Sequence, residues 1–379
     1  MTRSRHHLIA LLASVTPLIA VAQRPAATVP VWTGKPDFVL GKEDDEHESF
    51  RFVSGMAVVR DGRLVVADWK EHRVRVFSPG GKYQFDIGRE GGGPGEFRQP
   101  CCMRVLDDGT LLVGDPQARR FNRYRVEASR AFSIGTVVTR GGVMLNPSAP
   151  APSRLGANRY ARLLSIMGDC RSEYEVQQMD SLGTPVSSFK VAAPPADSLD
   201  LYVKRKQQRD GGRSCDSYPM IYGSQYLLAF SPAGDFARVI SGRYDIEWRT
   251  ADGKLRTRIA RAPEPPIPFT ADERQMVSLS LDLIRKEYPG PRRVVAPAGR
   301  APISSLLFDE LNRLWVVRDT PETSPGAADI YDAFGHQVAR ATWPAGYALR
   351  DRDLATASAL FILTSDTSDV THVTRIRFR

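Results

Sequence analysis

The sequence predicts an all-β fold, a six-bladed β-propeller, and three observations carry that expectation. Phe38, Phe85 and Phe132 recur at a step of 47 residues, as do Gly41, Gly88 and Gly135. Gly62, Gly109 and Gly156 keep the same step, and the pairs Phe50/Phe97 and Met56/Met103 repeat it once. Between these markers short apolar strands alternate with turns such as Asp61-Gly62, Pro79-Gly80 and Asp108-Gly109. A period near 45 filled with strand and turn describes a blade that cannot bury both faces alone, so the blades must stack.

Taken from the start, residues 1–22 read as an export signal. MTRSRHH is basic, LIALLASVTPLIA is apolar, and Ala20-Val21-Ala22 is a small-x-small cleavage site. The chain is therefore expected to be exported, to the periplasm or beyond the cell, and export makes nucleic-acid partners unexpected. No stretch after residue 22 approaches 18 apolar residues, so no transmembrane segment is expected in the mature chain. Residues 23–36 are rich in Pro and Ala and read as an extended lead-in, with the propeller over 37–379.

Blade 1 reads as Gly55–Val59, Leu64–Ala67, Arg73–Phe77 and Tyr83–Ile87, and blade 2 as Cys102–Leu106, Thr110–Gly114, Arg120–Val126 and Ala131–Gly135. Blade 3 is more eroded, with strands at Tyr160–Ile166, Glu175–Met179 and Val186–Lys190. Blade 4 offers Gln225–Phe230, Ala237–Ile240, Tyr244–Arg249 and Leu255–Ile259, and blade 5 offers Ile303–Phe308, Leu314–Val317, Asp329–Ala333 and Gln337–Thr342. Blade 6 has only Leu354–Ala357, Leu360–Leu363 and Val370–Phe378. It lacks an outer strand, and residues 37–41 stand in the same register before blade 1 as residues 84–88 before blade 2. The N-terminal strand is thus expected to close the ring on residues 370–378, which removes the open sheet edges.

Two connections exceed the repeat, at about 191–217 and 261–302, and both run from an outer strand to the next inner strand. Such connections share one face of a propeller, so together they predict a partial lid near blades 3 to 5. The second contains a helix from Thr270 to about Tyr288. Thr270 and Glu273 form a capping box, Pro289-Gly290 stops it, and Met276, Leu279, Leu283 and Ile284 are expected to pack downward.

The stretches Gly88-Arg-Glu-Gly-Gly-Gly-Pro-Gly-Glu-Phe97 and Asp108-Gly-Thr-Leu-Leu-Val-Gly-Asp115 resemble the repeat of NHL-type six-bladed propellers, a group with many exported bacterial members. So does Asp61-Gly-Arg-Leu-Val-Val-Ala-Asp68 followed by Arg73-Val-Arg-Val-Phe77. The likeness is specific over blades 1 and 2, loose in blade 5 and architectural elsewhere. Relatives of this architecture include a copper- and zinc-dependent lyase, an antibiotic-opening lyase, calcium-dependent lactonases and RNA- or protein-binding modules. The resemblance implies the geometry, and function must come from site residues.

Aligned by blade, Ser54, Cys101, Ser148, Tyr226, Ser304 and Asp351 fall at the channel mouth. This ring holds one carboxylate, whereas a calcium site needs several converging oxygens. His47, His72 and His372, beside the acidic run Glu43 to Glu48, are the candidate ligands for a divalent metal, without a tight ligand spacing. Basic residues crowd the same face: Arg98, Arg119, Arg120, Lys204, Arg205, Lys206, Arg209, Arg213, Arg292 and Arg293. Beyond residue 22 the chain has 50 basic and 43 acidic residues, which leans toward anionic partners. The bland alternative is a solvated basic rim. No GxSxG motif or Ser/His/Asp arrangement marks a nucleophilic hydrolase.

The four cysteines would lie in a disulfide-permissive compartment. Cys170 and Cys215 are the expected pair, tethering the first insertion, with Cys101 or Cys102 to Cys170 as the competitor. Cys101 and Cys102 would otherwise remain neighbours, as thiols or as a disulfide between adjacent residues. The reading that results is an exported propeller binding an unidentified small molecule or protein, with anionic groups favoured, on its lidded face without catalysis. The alternative is a metal-dependent lyase or hydrolase.

Overall fold

The computed structural model describes residues 28–106, 108–138, 153–154, 159–168, 171–180, 185–191, 201–207, 213–287, 296–349 and 352–379. Between 153 and 219, side chains are described only at 175–177 and 186–191. Six blades stand in a ring. Blade 1 comprises Val53–Val58, Leu64–Asp68, Arg73–Phe77 and Tyr83–Ile87, and blade 2 comprises Cys101–Val105, Leu111–Asp115, Arg120–Val126 and Ala131–Val138. Blade 3 follows with Ser153–Arg154, Arg159–Gly168, Arg171–Asp180 and Pro185–Val191, and blade 4 with Tyr226–Phe230, Phe236–Ile240, Asp245–Arg249 and Leu255–Ala260. Blade 5 is Ile303–Phe308, Leu314–Arg318, Gly326–Tyr331 and Gln337–Trp343.

The last blade, Leu354–Ala355, Ala359–Ser365 and Thr371–Phe378, takes its outer strand from the N-terminal strand Val31–Leu40. Gly34 to Leu40 pair antiparallel with Val373 to Phe378, and Phe38 stands opposite Arg375. The closing strand begins inside the segment expected as lead-in, and it does more than close one blade. Val31, Trp32 and Thr33 pair in parallel with Arg340, Ala341 and Thr342 of blade 5. Blades 5 and 6 therefore form one eight-stranded sheet through the N-terminal strand.

The second strands LVVAD and LLVGD are buried at every residue, because neighbouring blades cover both of their faces. That double burial explains apolar runs in place of alternation. Each run ends in a buried aspartate. The Asp68 carboxylate accepts the backbone N–H of Arg51 at 2.8 Å and of Phe52 at 3.2 Å, and Asp115 accepts those of Arg98 at 2.9 Å and Gln99 at 3.2 Å. The aspartate thus ties the incoming connection to the tip of the second strand. Blade 4 uses Ser241 for this task, its Oγ accepting Gln225 N–H at 2.9 Å. Blade 5 departs from the pattern: Leu314–Arg318 reads LWVVR and places Arg318 where the aspartate would be.

The repeating glycines have backbone reasons. Gly62 and Gly109 adopt φ of 84° and 83° in the inner hairpin turns. At Gly88, φ is 71° and a Cβ would come within 2.5 Å of the Gly95 carbonyl oxygen.

The first insertion forms a hairpin, Leu201–Gln207 with Arg213–Pro219, and the second contains helix α1, Ala271–Glu287. The capping box is present: Thr270 N–H donates to Glu273 Oε2 at 2.9 Å and Glu273 N–H to Thr270 Oγ1 at 3.2 Å. Helix α1 buries Val277, Leu281 and Ile284 against Met220 beside Ile221, Tyr222 and Phe269, so it packs on the segment that leads from the hairpin into blade 4. The expected face was in part the wrong one. Ile284 is buried, but Met276, Leu279 and Leu283 are 44%, 57% and 60% exposed. The inward stripe is instead 273, 277, 281 and 284, where Glu273 pairs with Arg300 and Val277, Leu281 and Ile284 meet Met220.

Candidate functional site: the lid-side cavity

A cavity of about 360 Å³ opens where the second insertion meets blade 5. Tyr222 reaches it from the segment that leads into blade 4, and Glu273 and Arg300 from the second insertion. Ser304, Arg318, Asp319 and Trp343 come from blade 5, and Tyr347 from the connection into blade 6. Ser304 arrives there through a bulge. The pairing register slips between Ile303 and Ser305, and the skipped Ser304 is exposed to the cavity. Ser54 occupies the matching bulge in blade 1, between Val53 and Gly55.

Arg300 holds the site together. Its Nη2 donates to Asp319 Oδ1 at 2.5 Å and to the Thr320 carbonyl at 3.2 Å, and its Nη1 donates to Glu273. The guanidinium lies 4.9 Å from the centre of the Tyr222 ring. One side chain therefore links the lid helix, the segment leading into blade 4 and blade 5. Burial raises the Asp319 pKa and is only partly offset by Arg300. For Glu273, burial works upward too, but the Thr270 N–H and the Arg300 guanidinium outweigh it and hold the carboxyl below its ordinary range.

Arg318 pairs with Glu264 and stands 5.3 Å from the Tyr244 ring centre. Trp343 Nε1 donates to the Tyr347 carbonyl at 2.7 Å. A Cβ on Gly326 would fall 2.1 Å from that same nitrogen, so glycine is required beneath the indole. The cavity wall carries Asp272, Glu273, Asp319 and Glu322 against Arg300 and Arg318, an excess of carboxylate. A second cavity of about 330 Å³ adjoins it, sharing Glu322 and Ala348, with Arg51 and Arg352 in its wall. Arg352 Nη1 donates to the Val53 carbonyl at 2.9 Å, and its guanidinium lies 4.6 Å from the Phe52 ring centre.

Of the residues expected at the mouth, Ser304 is brought into the cavity. Ser54 is buried and donates to the Pro100 carbonyl at 2.6 Å, which joins blades 1 and 2. Tyr226 is half-buried beside Phe230 and Phe236 at the start of blade 4. Asp351 and Ser148 lie outside the described residues. Cys101 is buried in a disulfide with Cys102, which corrects the alternative pairing of either residue with Cys170. Cys170 lies outside the described residues, while Cys215 stands opposite Arg205 in the hairpin.

The basic residues whose side chains are described lie on blade 2. Arg98 and Arg119 are exposed on blade 2. Arg120 donates to the carbonyls of Gly92 at 3.1 Å and of Gly93 and Glu96 at 2.8 Å each, so it fastens the Gly-rich loop. Arg213 stands opposite Gln207, and Lys204 and Lys206 share the neighbouring strand. Arg209, Arg292 and Arg293 lie outside the described residues.

The three histidines are engaged separately. His47 stacks on Tyr83 with ring centres 3.8 Å apart, His72 bonds the Arg98 carbonyl, and His372 meets Asp366 at 3.1 Å. Among the described residues no three His, Cys, Asp or Glu side chains are grouped to hold a metal. Arg300, Arg318 and Trp343 were not anticipated. Arg318 had a readable signal, the arginine that replaces the repeat aspartate in LWVVR. Arg300 had none, since its role depends on partners distant in sequence, Glu273, Asp319 and Tyr222.

The family model described as a 6-bladed beta-propeller, DUF5128, matches residues 48–121. This chain is a β-propeller protein. It is similar in structure to a candidate exported protein of Bacteroides fragilis, at 12% identity and a TM-score of 0.47 over 93% of this chain and all of that one. It is also similar to a member of the duf4221 family from Bacteroides vulgatus, at 11% identity and a TM-score of 0.45 over 91% and 97% of the two chains. Virginiamycin B lyase from Staphylococcus aureus aligns at 10% identity and a TM-score of 0.38, over 90% and 98%. No curated protein matches the sequence. No helix among the described residues is long and apolar enough to cross a membrane.

Proposed function

We propose that this chain is an exported propeller that binds a small, uncharged, hydroxyl-rich ligand in the cavity between blade 5 and the lid, without catalysis of its own. The observation that carries the reading is Arg300, which fixes three separate elements around one cavity with Ser304 open to it. Rigid Arg and carboxylate pairs offer the fixed donors and acceptors that paired hydroxyls require, and the rings of Tyr222, Trp343 and Tyr347 supply apolar faces. The excess of carboxylates disfavours an anion at this cavity. Export is supported by the N-terminal sequence pattern, and the Cys170–Cys215 pairing remains part of the proposal as a tether for the lid.

The test is a thermal-shift and ligand-observed NMR screen of the full chain with neutral sugars and polyols, amino acids and dicarboxylates. Binding by neutral sugars or polyols that Ser304→Trp abolishes is the expected result. Selective binding of dicarboxylates, or no binding within the panel, would overturn the ligand class. A stoichiometric transition metal in protein purified without chelator would favour the lyase or hydrolase alternative.

A further inference from the structure

Blades 1 and 5 share one register at the start of the inner hairpin, and blade 2 departs from it. In blade 1, Val53 stands opposite Asp68, Gly55 opposite Ala67 and Met56 opposite Val66, with Ser54 skipped. Blade 5 repeats this with Ile303 opposite Arg318, Ser305 opposite Val317 and Leu306 opposite Val316. The step of 47 would place Cys102 opposite Gly114 and Met103 opposite Val113. Instead Cys101 stands opposite Gly114, Arg104 returns to register opposite Leu112, and Cys102 and Met103 stand outside the ladder between them. The slip coincides with the Cys101–Cys102 disulfide. Successive side chains of a strand point to opposite faces, whereas a bond between adjacent sulfurs requires both on one face. Both do lie on one face: a Cβ on Gly114 would clash with Cys102 Sγ and stand 3.3 Å from Cys101 Sγ. Cys102 meets the demand with a φ of 39°, in the left-handed region that a cysteine rarely adopts.

We propose that Cys101 and Cys102 form a redox-operated register switch. The disulfide holds Cys102 and Met103 out of the blade 2 ladder, and reduction by a dithiol lets the strand take the register of blades 1 and 5. One thiolate of the dithiol attacks Cys102 Sγ, since Cys102 is 8% exposed and Cys101 fully buried. The electron pair of the S–S bond leaves on Cys101 Sγ, which takes up a proton. The second thiol of the reductant then attacks the mixed disulfide, which releases Cys102 as a thiol and leaves the reductant oxidised by two electrons. Without the bond, the two side chains can alternate across the strand and Cys102 can leave the left-handed region. The residues on either side carry the change outward. Pro100, just before the pair, accepts the Ser54 hydroxyl at 2.6 Å across the seam with blade 1. Met103, just after it, lines a cavity of about 650 Å³ together with Met56, so a new register reshapes that wall. None of these residues lines the lid-side cavity.

Amide hydrogen exchange of the full chain, oxidised and after dithiothreitol, tests the switch on peptides covering residues 101–106, corrected for intrinsic rates. Exchange there should slow by about tenfold on reduction, as two residues enter the ladder, while blade 5 keeps its rates. The double substitution Cys101→Ser with Cys102→Gly copies Ser54-Gly55 of blade 1. It should show the slow exchange without reductant and no response to it. The reduced parent decides the matter by itself should that variant fail to fold. A pair that resists dithiothreitol in the folded chain, or exchange over 101–106 that is unchanged or faster on reduction, would overturn the switch. A slowing that persists in the folded double variant would trace to Cys170 or Cys215 and overturn it equally.

Discussion

Arg300 donates to Asp319 at 2.5 Å through one amino group while the other holds Glu273 of the lid helix. The side chains are nearly enclosed, at 11% exposure for Arg300 and for Glu273 and 15% for Asp319. Removing one partner from such a group strands the others without their counter-charge, at a cost of about 3 kcal/mol. Arg300→Met should therefore speed amide hydrogen exchange throughout α1 while blades 1 and 2 keep their protection. Equal protection of α1 in the variant and the parent would show that the lid is held by its apolar contacts alone.

The same group gives the lid an acid response, and the two carboxylates pull in opposite senses. The folded pKa of Glu273 lies below its ordinary value of 4.5, so its stabilisation is complete above that pH and is lost as pH falls through the folded value. The folded pKa of Asp319 lies above its ordinary value of 3.8, so its contribution is complete below that pH and is lost as pH rises through the folded value. Acid loosening of the lid should accordingly follow Glu273. Exchange in α1 should accelerate beyond its intrinsic pH dependence below about pH 4.5 in the parent. In Glu273→Gln it should already be fast at pH 7 and show little further acid response, and an identical pH profile in both would refute the assignment.

Ring closure makes the N-terminal strand a structural necessity. Leu40 is 2% exposed, and Asp37 holds Arg375 through two contacts of 2.7 Å. Deleting residues 28–40 removes the outer strand of blade 6 and the seam to blade 5. Loss of Leu40 alone deletes a buried side chain worth roughly 2–3 kcal/mol, so the truncated chain should unfold well below the parent or fail to fold. Asp37→Asn should cost about 1 kcal/mol by weakening a partly exposed pair. A truncated chain with unchanged thermal unfolding would exclude closure by this strand.

The ring was legible because blade sequence and blade geometry share one period. Phe38 repeats Phe85, and it lands in the outer-strand position that the spacing implies, opposite Arg375. The parallel seam of residues 31–33 with blade 5 was hidden, since a parallel pair leaves no turn and no repeat to read. The helix was legible from its capping box, but its buried face depends on partners distant in sequence, Arg300 for Glu273 and Met220 for Val277, Leu281 and Ile284. Candidate residues placed by blade alignment fared by the local backbone. The bulge exposes Ser304 in blade 5, whereas the equivalent Ser54 is drawn into a bond with the Pro100 carbonyl. Charge counting along the sequence could not foresee that Arg120 would be spent on three carbonyls of the Gly-rich loop.

The adjacent-residue disulfide gives the last prediction. Gly114 in LLVGD occupies the place of Ala67 in LVVAD, and a Cβ there would stand 2.4 Å from Cys102 Sγ and 3.1 Å from the Phe121 ring. Glycine is thus the residue that leaves room for the sulfur beneath blade 2, where Cys101 is fully buried and Cys102 is 8% exposed. Gly114→Ala should destabilise by about 1–3 kcal/mol through overpacking. Adding Cys102→Ala should remove the clash with the sulfur, so the two substitutions together should cost less than the sum of their separate effects, a coupling that a double-mutant cycle measures. Strictly additive denaturation midpoints, or a neutral Gly114→Ala, would mean that the sulfur does not lie against this strand.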